Sequence, residues 1–229
     1  MHSIINAYAK MSAMTYSFRD GVKTKKAGRK IWLVLPILGL VGGLYVLVSA
    51  LAPAVSTPFD PPQDATAQKL THTKPSLDEN RLYIPKINVD LAIVTGETDA
   101  ALELGVWHRK PENGDPQKGG NFVLSAHRFN LGFTPQQTRA KSPFYHIDKL
   151  SPDDKIYVDY EGTRYEYTVT KRYKVERTAL EIEQPSEEPR LTLYSCDLRG
   201  EKAGREVVEA QPTGTIAWTD STPKLKTLQ

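Results

Sequence analysis

The chain contains a single cysteine, Cys196, whose position is compatible with nucleophilic chemistry. It ends an apolar run, LTLYSC (residues 191–196), just before the turn-like stretch DLRG. A lone cysteine cannot form an intramolecular disulfide, so it is either a small buried hydrophobe or a nucleophile. A thiol attacks as its thiolate, and a free thiol with a pKa of about 8.5 is only a few per cent ionised at pH 7. A catalytic cysteine therefore needs a histidine within reach and a fixed cation for the charge that develops on oxygen.

Three histidines lie beyond residue 80, and His127 is the best placed of them. It ends the apolar run of residues 121–127 just as Cys196 ends its own, so neighbouring strands could bring the two together. His108 lies in WHRKP, which indicates a loop, and His146 lies in a predicted helical turn beside Asp148. We expect these two to be surface or turn histidines.

An apolar segment near the N-terminus indicates a membrane anchor. Residues 31–52 (IWLVLPILGLVGGLYVLVSALA) contain no charge. A helix of this length spans about 33 Å, enough for the hydrocarbon core of a bilayer. Residues 1–30 carry a net charge of +6, whereas the whole chain carries +3. The basic excess therefore lies beside the predicted span as a topology signal, and it does not indicate a nucleic-acid surface.

The charge pattern predicts a single-pass protein of the cell membrane, with residues 1–30 cytoplasmic, residues 31–52 spanning and everything beyond them extracellular. A cleaved signal peptide is the alternative, since Ala50-Leu51-Ala52 fits a cleavage site. The apolar segment, however, exceeds the ~7–15 residues of a signal h-region, and Pro53 would follow the cut. A buried helix of a soluble domain fits less well, because the basic flank would then lack a purpose.

The sequence after residue 52 predicts a linker, one domain and a tail. Residues 53–80 are rich in Pro, Thr, Ser and Asp, which is typical of a spacer with little to bury. Residues 81–218 predict an all-β domain, a closed or partly closed β-barrel of about eight strands with short helices, with a sandwich as the alternative. Residues 219–229 predict a polar tail. The predicted strands are residues 81–85, 89–94, 121–127, 155–160, 163–176, 190–196, 205–210 and 215–218, and the helical turns are residues 99–104 and 142–150.

The order of these segments resembles the sortases, membrane-anchored cysteine transpeptidases of Gram-positive-type cell walls. Residues 191–196 resemble the family's TLxTC strand, residues 123–128 (VLSAHR) resemble the segment with its histidine, and residues 205–208 (REVV) resemble the strand that opens with its arginine. Residues 81–90, 105–108 and 142–150 are similar to further sortase segments. The family usually has threonine at the position of Ser195 and often has glycine at that of Ala126, and both changes are small.

The resemblance implies a mechanism and partners. Cys196 would attack the carbonyl of an LPxTG-type sorting signal, between Thr and Gly, to form an acyl-enzyme. His127 would protonate the leaving amine and deprotonate the incoming one, and Arg205 would bind the oxyanion or position the substrate. The partners would be secreted proteins with C-terminal sorting signals and an amine from a wall precursor or a pilin. No cofactor is required, and one histidine with one cysteine makes a poor zinc site.

Hairpin geometry favours Arg205 over Arg199, which is nearer in sequence. Residues 197–204 contain Gly200 and Gly204 with charges between them, which predicts a hairpin loop from which Arg199 projects. Arg205 opens the return strand, which in an antiparallel pair lies beside the end of the cysteine's strand.

Two other functions fit parts of the pattern. An L,D-transpeptidase is also an exported Cys/His β-protein, but its cysteine lies in an SxGC-like stretch, and YSC lacks the glycine. A membrane-tethered β-barrel that only binds, with Cys196 as core filler, fits the anchor and the strands equally well. The reactivity of the thiol separates this binding module from an enzyme.

Overall fold

The described part of the chain begins with a single long helix. The computed structural model describes residues 28–55, 64–219 and 222–227, and the chain divides into two compact units, residues 1–45 and 46–229. Helix α1 (Gly28–Leu51) continues into a 3₁₀ turn, and its stretch Val34–Ala54 is long and apolar enough to cross a bilayer. Almost none of this stretch is buried, unlike the core helix of a soluble protein. The helix is therefore a candidate membrane span, whereas the predicted cytoplasmic tail lies outside the described residues apart from its last three.

The described part of the second unit contains ten strands, and eight of them close into a barrel. Around the barrel the order is β1-β2-β3-β5-β8-β9-β7-β6, and β6 pairs again with β1. Strand β4 adds to β5, and β10 adds to β9. The prediction of a closed or partly closed β-barrel of about eight strands is thereby confirmed, and the barrel is closed. The strands are β1 (Arg81–Ile84), β2 (Val89–Val94), β3 (Val106–His108), β4 (Gly114–Asp115), β5 (Gly119–Ser125), β6 (Lys155–Tyr160), β7 (Thr163–Val175), β8 (Arg190–Asp197), β9 (Gly200–Thr219) and β10 (Thr222–Thr227).

Strands β5, β8 and β9 are buried on both faces. Inside the barrel their alternate residues, such as Leu124, Leu193 and Val208, join the main core. On the other face Tyr194 and its neighbours form a second cluster that includes Ile182, from a 3₁₀ turn at Leu180–Glu183. Double burial explains why β5 and β8 appear in the sequence as nearly continuous apolar runs rather than alternating ones. It also fixes the strand ends from which the candidate site is built.

Strand β9 is longer than the sequence predicts. We expected two strands separated by residues 211–214, but the chain continues through them as one. The register against β7 shifts here, because Glu166 pairs with Gly214 while Tyr167 pairs with Pro212. Such a bulge accommodates a proline, which cannot donate to a regular ladder.

Part of the predicted spacer packs against the barrel. Helix α2 (Ala65–His72) buries Thr66 and Leu70. Arg164, on β7 and fully buried, donates hydrogen bonds to the carbonyls of Leu70 at 2.5 Å and Thr73 at 3.0 Å. The carboxylate of Asp159 accepts two further bonds from the same guanidinium. The helix is thus pinned to the barrel, although its polar sequence suggested little to bury.

The predicted polar tail also contains regular structure. Strand β10 pairs with β9 from Thr222 opposite Thr219 to Thr227 opposite Gly214. Its pairing extends the sheet outside the closed ring. The alternation that marks a half-buried strand is weak in this segment, so its sequence resembles a tail.

Candidate active site

Cys196 and Arg205 lie opposite each other on neighbouring strands. Strands β8 and β9 form an antiparallel hairpin in which these two residues are a Cα pair. The Nη1 atom of Arg205 lies 3.6 Å from the Sγ atom of Cys196, and it also donates to the carbonyl of Gly204 at 3.4 Å. Cys196 is partly exposed. A permanent positive charge therefore lies against an accessible thiol, an arrangement that favours the thiolate.

His127 is brought to the same edge of the sheet by a parallel pairing. Strands β5 and β8 pair in parallel as far as Ser125 opposite Tyr194, and the backbone amide of Ala126 donates to the carbonyl of Tyr194 at 3.4 Å. His127 and Cys196 each follow that last pair by two residues. Neighbouring strands lie about 4.8 Å apart, so the backbone of His127, just past the end of β5, lies near that of Cys196 on β8. Of the three residues predicted from the sequence, Cys196 and Arg205 thus pair within the β8–β9 hairpin, and His127 follows the end of β5, the strand on the other side of β8.

The carboxylate of Glu103, which the sequence analysis did not select, contacts the ring of His127. Glu103 ends a 3₁₀ turn (Asp99–Glu103) between β2 and β3, and its Oε1 atom lies 3.1 Å from Nε2 of His127. The same oxygen accepts a hydrogen bond from Asn130 at 2.7 Å, and Oε2 accepts one from Lys141 at 3.0 Å. The hydrogen bond from Lys141 is the main reason that the pKa of Glu103 lies below its usual value. The sequence predicts a helical turn here but not the direction in which its last carboxylate points.

A buried group of charges lies beside the candidate site. Glu206, which follows Arg205, is only 1% exposed and accepts a hydrogen bond from Arg172 at 2.5 Å. Its other oxygen lies 3.5 Å from the ammonium of Lys174 and 3.8 Å from Nη1 of Arg128. Arg128, which follows His127, is 4% exposed. This ion-pair network therefore links the chain just after the histidine to the chain just after the arginine.

Arg199 projects from the hairpin turn, as the sequence predicts. Strands β8 and β9 pair again at Asp197 and Gly200, so the turn is tighter than the predicted loop of residues 197–204, and the register shifts between this pair and Cys196. The side chain of Arg199 is 73% exposed and donates to the Asp197 carboxylate at 3.0 Å. These hydrogen bonds, with another from Lys174, hold the pKa of Asp197 well below its usual range. The side chain of Arg199 is thus hydrogen-bonded to Asp197 in the turn.

His108 and His146 have other surroundings. The prediction of a surface or loop position is wrong for His108, which ends β3, is buried, and lies edge-on to Phe122 with its Nε2 atom 3.1 Å from the carbonyl of Gly114. Burial lowers its pKa. His146 is half-buried beside Tyr145 at the start of a 3₁₀ turn, and burial lowers its pKa too. Within the described part of the chain, no group of three or more His, Cys, Asp or Glu side chains is arranged to hold a metal ion.

Comparison with known proteins identifies the family. The model of the sortase domain matches residues 82–213, which is more than half of the chain. The chain belongs to the sortase family. Sortase A of Listeria monocytogenes is 28% identical over 126 residues, which cover 55% of this chain and 52% of that protein. The chain therefore spans about half the length of this sortase relative.

Solved sortase structures share the fold. The structure of Listeria monocytogenes sortase A matches with a TM-score of 0.50 and 25% identity, over 62% of this chain and 90% of that one. Sortase C1 of GBS pilus island 1 matches with a TM-score of 0.51 and 21% identity, over 83% and 88% of the two chains. The second likeness concerns the fold alone. Both agree with the closed barrel described above.

Proposed function

We propose that this sortase is a cysteine transpeptidase that cleaves the sorting signal of secreted proteins through an acyl-enzyme on Cys196. The observation that carries the proposal is the guanidinium of Arg205, 3.6 Å from the sulfur of a partly exposed thiol. Membership of the sortase family supports it. A cysteine that only filled the core would need neither exposure nor a cation.

The first half of the reaction forms a thioester. The thiolate of Cys196 attacks the carbonyl carbon of the scissile peptide bond, and the π electrons move to the oxygen. Arg205, already beside the sulfur, donates hydrogen bonds to this oxyanion. The oxyanion then collapses, the C–N bond breaks, and His127 gives a proton to the departing amine. The proposed substrate is an LPxTG-type signal cleaved between Thr and Gly.

The second half transfers the acyl group to a new amine. The incoming amine attacks the thioester carbonyl, and His127 accepts the proton that this amine loses. The C–S bond breaks as the new amide is completed, so the thiolate of Cys196 is restored. The proposed amines come from a wall precursor or from a pilin. One histidine therefore serves in turn as acid and as base.

We place the catalytic domain on the extracellular side of the cell membrane. The candidate span in α1 supports a single-pass anchor, and the basic residues before it support a cytoplasmic N-terminus. Protease added to intact protoplasts should digest residues 53–229 and spare an N-terminal epitope tag. Release of a soluble form that begins near Pro53 would instead show a cleaved signal peptide.

Substitution of the nucleophile tests the proposed chemistry. Cys196→Ala should abolish cleavage of a fluorogenic LPxTG-type peptide, and wild type should show the acyl-enzyme mass on the peptide that contains Cys196. His127→Ala should match this loss, whereas the exposed control Arg199→Ala should stay within a few-fold of wild type. Iodoacetamide should alkylate Cys196 in the folded protein. A thiol that stays unmodified until the protein unfolds, with no cleavage by wild type, would favour the binding module.

A further inference from the structure

We infer that Glu103 is a positioning residue for His127, fixing through Nε2 which ring nitrogen exchanges protons during the reaction. This inference rests on the proposed function of the site, and it concerns a carboxylate that lies 24 residues before the histidine in sequence. A base held by a third group is a recurring arrangement in nucleophilic catalysis. Glu103 lies in the turn before β3, and His127 follows β5, the strand that pairs with β3.

The direction of the proton in this contact follows from the chemistry of the carboxylate. An ionised carboxylate only accepts hydrogen bonds, so the 3.1 Å contact requires Nε2 of His127 to carry the hydrogen. In the neutral ring the acceptor nitrogen is then Nδ1. We therefore assign Nδ1 as the atom that gives a proton to the leaving amine and takes one from the incoming amine.

Two further side chains hold Glu103 in place. Asn130, three residues after His127, donates to the same oxygen at 2.7 Å, and Lys141, at the end of helix α3 (Pro135–Ala140), donates to the other oxygen at 3.0 Å. With both oxygens occupied, rotation of the carboxylate costs at least one hydrogen bond. The positive charge of Lys141 keeps Glu103 ionised and thus able only to accept. The network therefore selects one orientation of the ring and one tautomer.

Because Glu103 is exposed, its effect on the orientation of His127 can be measured apart from any effect on stability. Its side chain is 45% exposed, and that of Lys141 is 46% exposed. Ion pairs this exposed contribute little to stability. Removal of the carboxylate should therefore change the ring of His127 without unfolding the barrel, so an effect on turnover reports on orientation.

Three variants and one control test the inference in the full-length protein. Glu103→Ala should lower kcat on a fluorogenic LPxTG-type peptide roughly tenfold, part of the ~10²–10⁴-fold that general acid–base catalysis supplies. KM should stay within about twofold of wild type, because Glu103 acts on His127 and the binding of the substrate is unchanged. Glu103→Gln should recover most of the activity, since its amide oxygen also accepts from Nε2. Lys141→Met should give an intermediate loss, and Glu112→Ala, at an exposed glutamate outside this network, should match wild type.

A spectroscopic measurement does not depend on turnover. In a Cys196→Ala background, ¹⁵N NMR of the His127 ring should show the Nε2–H tautomer, and Glu103→Ala should shift the population toward Nδ1–H. An unchanged spectrum, or a rise in KM with unchanged kcat, would overturn the inference. If Cys196→Ala and His127→Ala kept full turnover, the proposed function would fail, yet the spectrum would still report whether Glu103 fixes the tautomer.

Discussion

Arg205 is held opposite Cys196 by the main chain as much as by its side chain. The two residues form a cross-strand pair in the β8–β9 hairpin. Gly204, just before Arg205, has a φ of +113°, and a Cβ atom there would lie 2.4 Å from the carbonyl oxygen of Val175 on β7. Only glycine combines this conformation with so close an approach. The backbone thus presents the guanidinium to the sulfur before any substrate is bound.

Substitution of Arg205 should therefore reduce turnover strongly. Arg205→Lys and Arg205→Ala should both lose about 100-fold in kcat, the scale of one oxyanion donor, because an ammonium does not reproduce the directions of the planar guanidinium. Steady-state cleavage of a fluorogenic sorting peptide measures the effect. Arg199→Ala should stay within a few-fold of wild type, since that side chain binds Asp197. The opposite ranking of the two arginines would refute the assignment.

His108 should matter for stability and not for chemistry. Its buried ring packs edge-on against Phe122 and contacts the carbonyl of Gly114. His108→Ala should lower the free energy of unfolding by about 2–4 kcal/mol, through the cavity and the unpaired carbonyl. Urea unfolding followed by tryptophan fluorescence provides the value, and kcat per folded molecule should be nearly unchanged. An activity loss in His108→Ala equal to that of His127→Ala, at unchanged stability, would contradict this division of roles.

The buried pair of Arg128 and Glu206 should show strong coupling. Glu206→Leu should cost about 3 kcal/mol or more, because it removes the buried carboxylate shared by Arg172, Lys174 and Nη1 of Arg128, while Asp148 stays hydrogen-bonded to Arg128. The double variant Arg128→Met with Glu206→Leu removes both charges and should recover much of that loss. A double-mutant cycle in guanidinium chloride measures the coupling. Additive effects of the two single changes would show that the two charges act independently.

Asp197 should make stability depend on pH in the acidic range. Its pKa is lower in the folded protein than in the unfolded chain, chiefly because of hydrogen bonds from Arg199. The ionised group therefore stabilises the fold above the unfolded pKa of about 3.9, and this contribution is lost as the pH falls through the folded value. Asp197→Asn should destabilise the protein by about 1 kcal/mol at pH 7, since its partners are exposed.

The acid-dependent difference has a simple measurement. The gap in unfolding free energy between wild type and Asp197→Asn should narrow steadily as the pH is lowered below about 4. Urea titrations at a series of pH values follow this gap. Glu112→Gln, at a carboxylate that is 66% exposed, serves as the control. A gap that is constant from neutral to acidic pH would mean that Asp197 titrates alike in both states.

Local patterns in the sequence predict the hairpins of this fold well. The pair β6–β7 is indicated by alternation on either side of Glu161-Gly162, and both residues have positive φ, 46° and 78°, as a tight hairpin turn requires. The same reasoning places Arg205 opposite Cys196. These features depend on residues within about ten positions of each other, so the local sequence is enough to predict their geometry.

Features that depend on distant parts of the chain were not predicted. Arg164 is fully buried, yet its sequence context is that of a solvated charge, because its partners come from α2 and β6. The sequence around Glu206 likewise suggests an exposed acid, because the arginine that binds it, Arg172, lies on another strand. Glu103 reaches His127 only through the placement of a turn between two other strands. A single sequence does not indicate which of many acids will meet a given base.

The parallel pairing of β5 with β8 also has a kinetic consequence. Cys196 and Arg205 belong to one hairpin and can meet as soon as that local element forms, whereas His127 must be brought from 69 residues earlier. Contacts of such separation form late, because the intervening chain must first be ordered. We therefore expect the thiol of Cys196 and the guanidinium of Arg205 to meet during folding before His127 reaches them. The onset of peptide cleavage in a refolding experiment should then mark the moment at which the barrel closes.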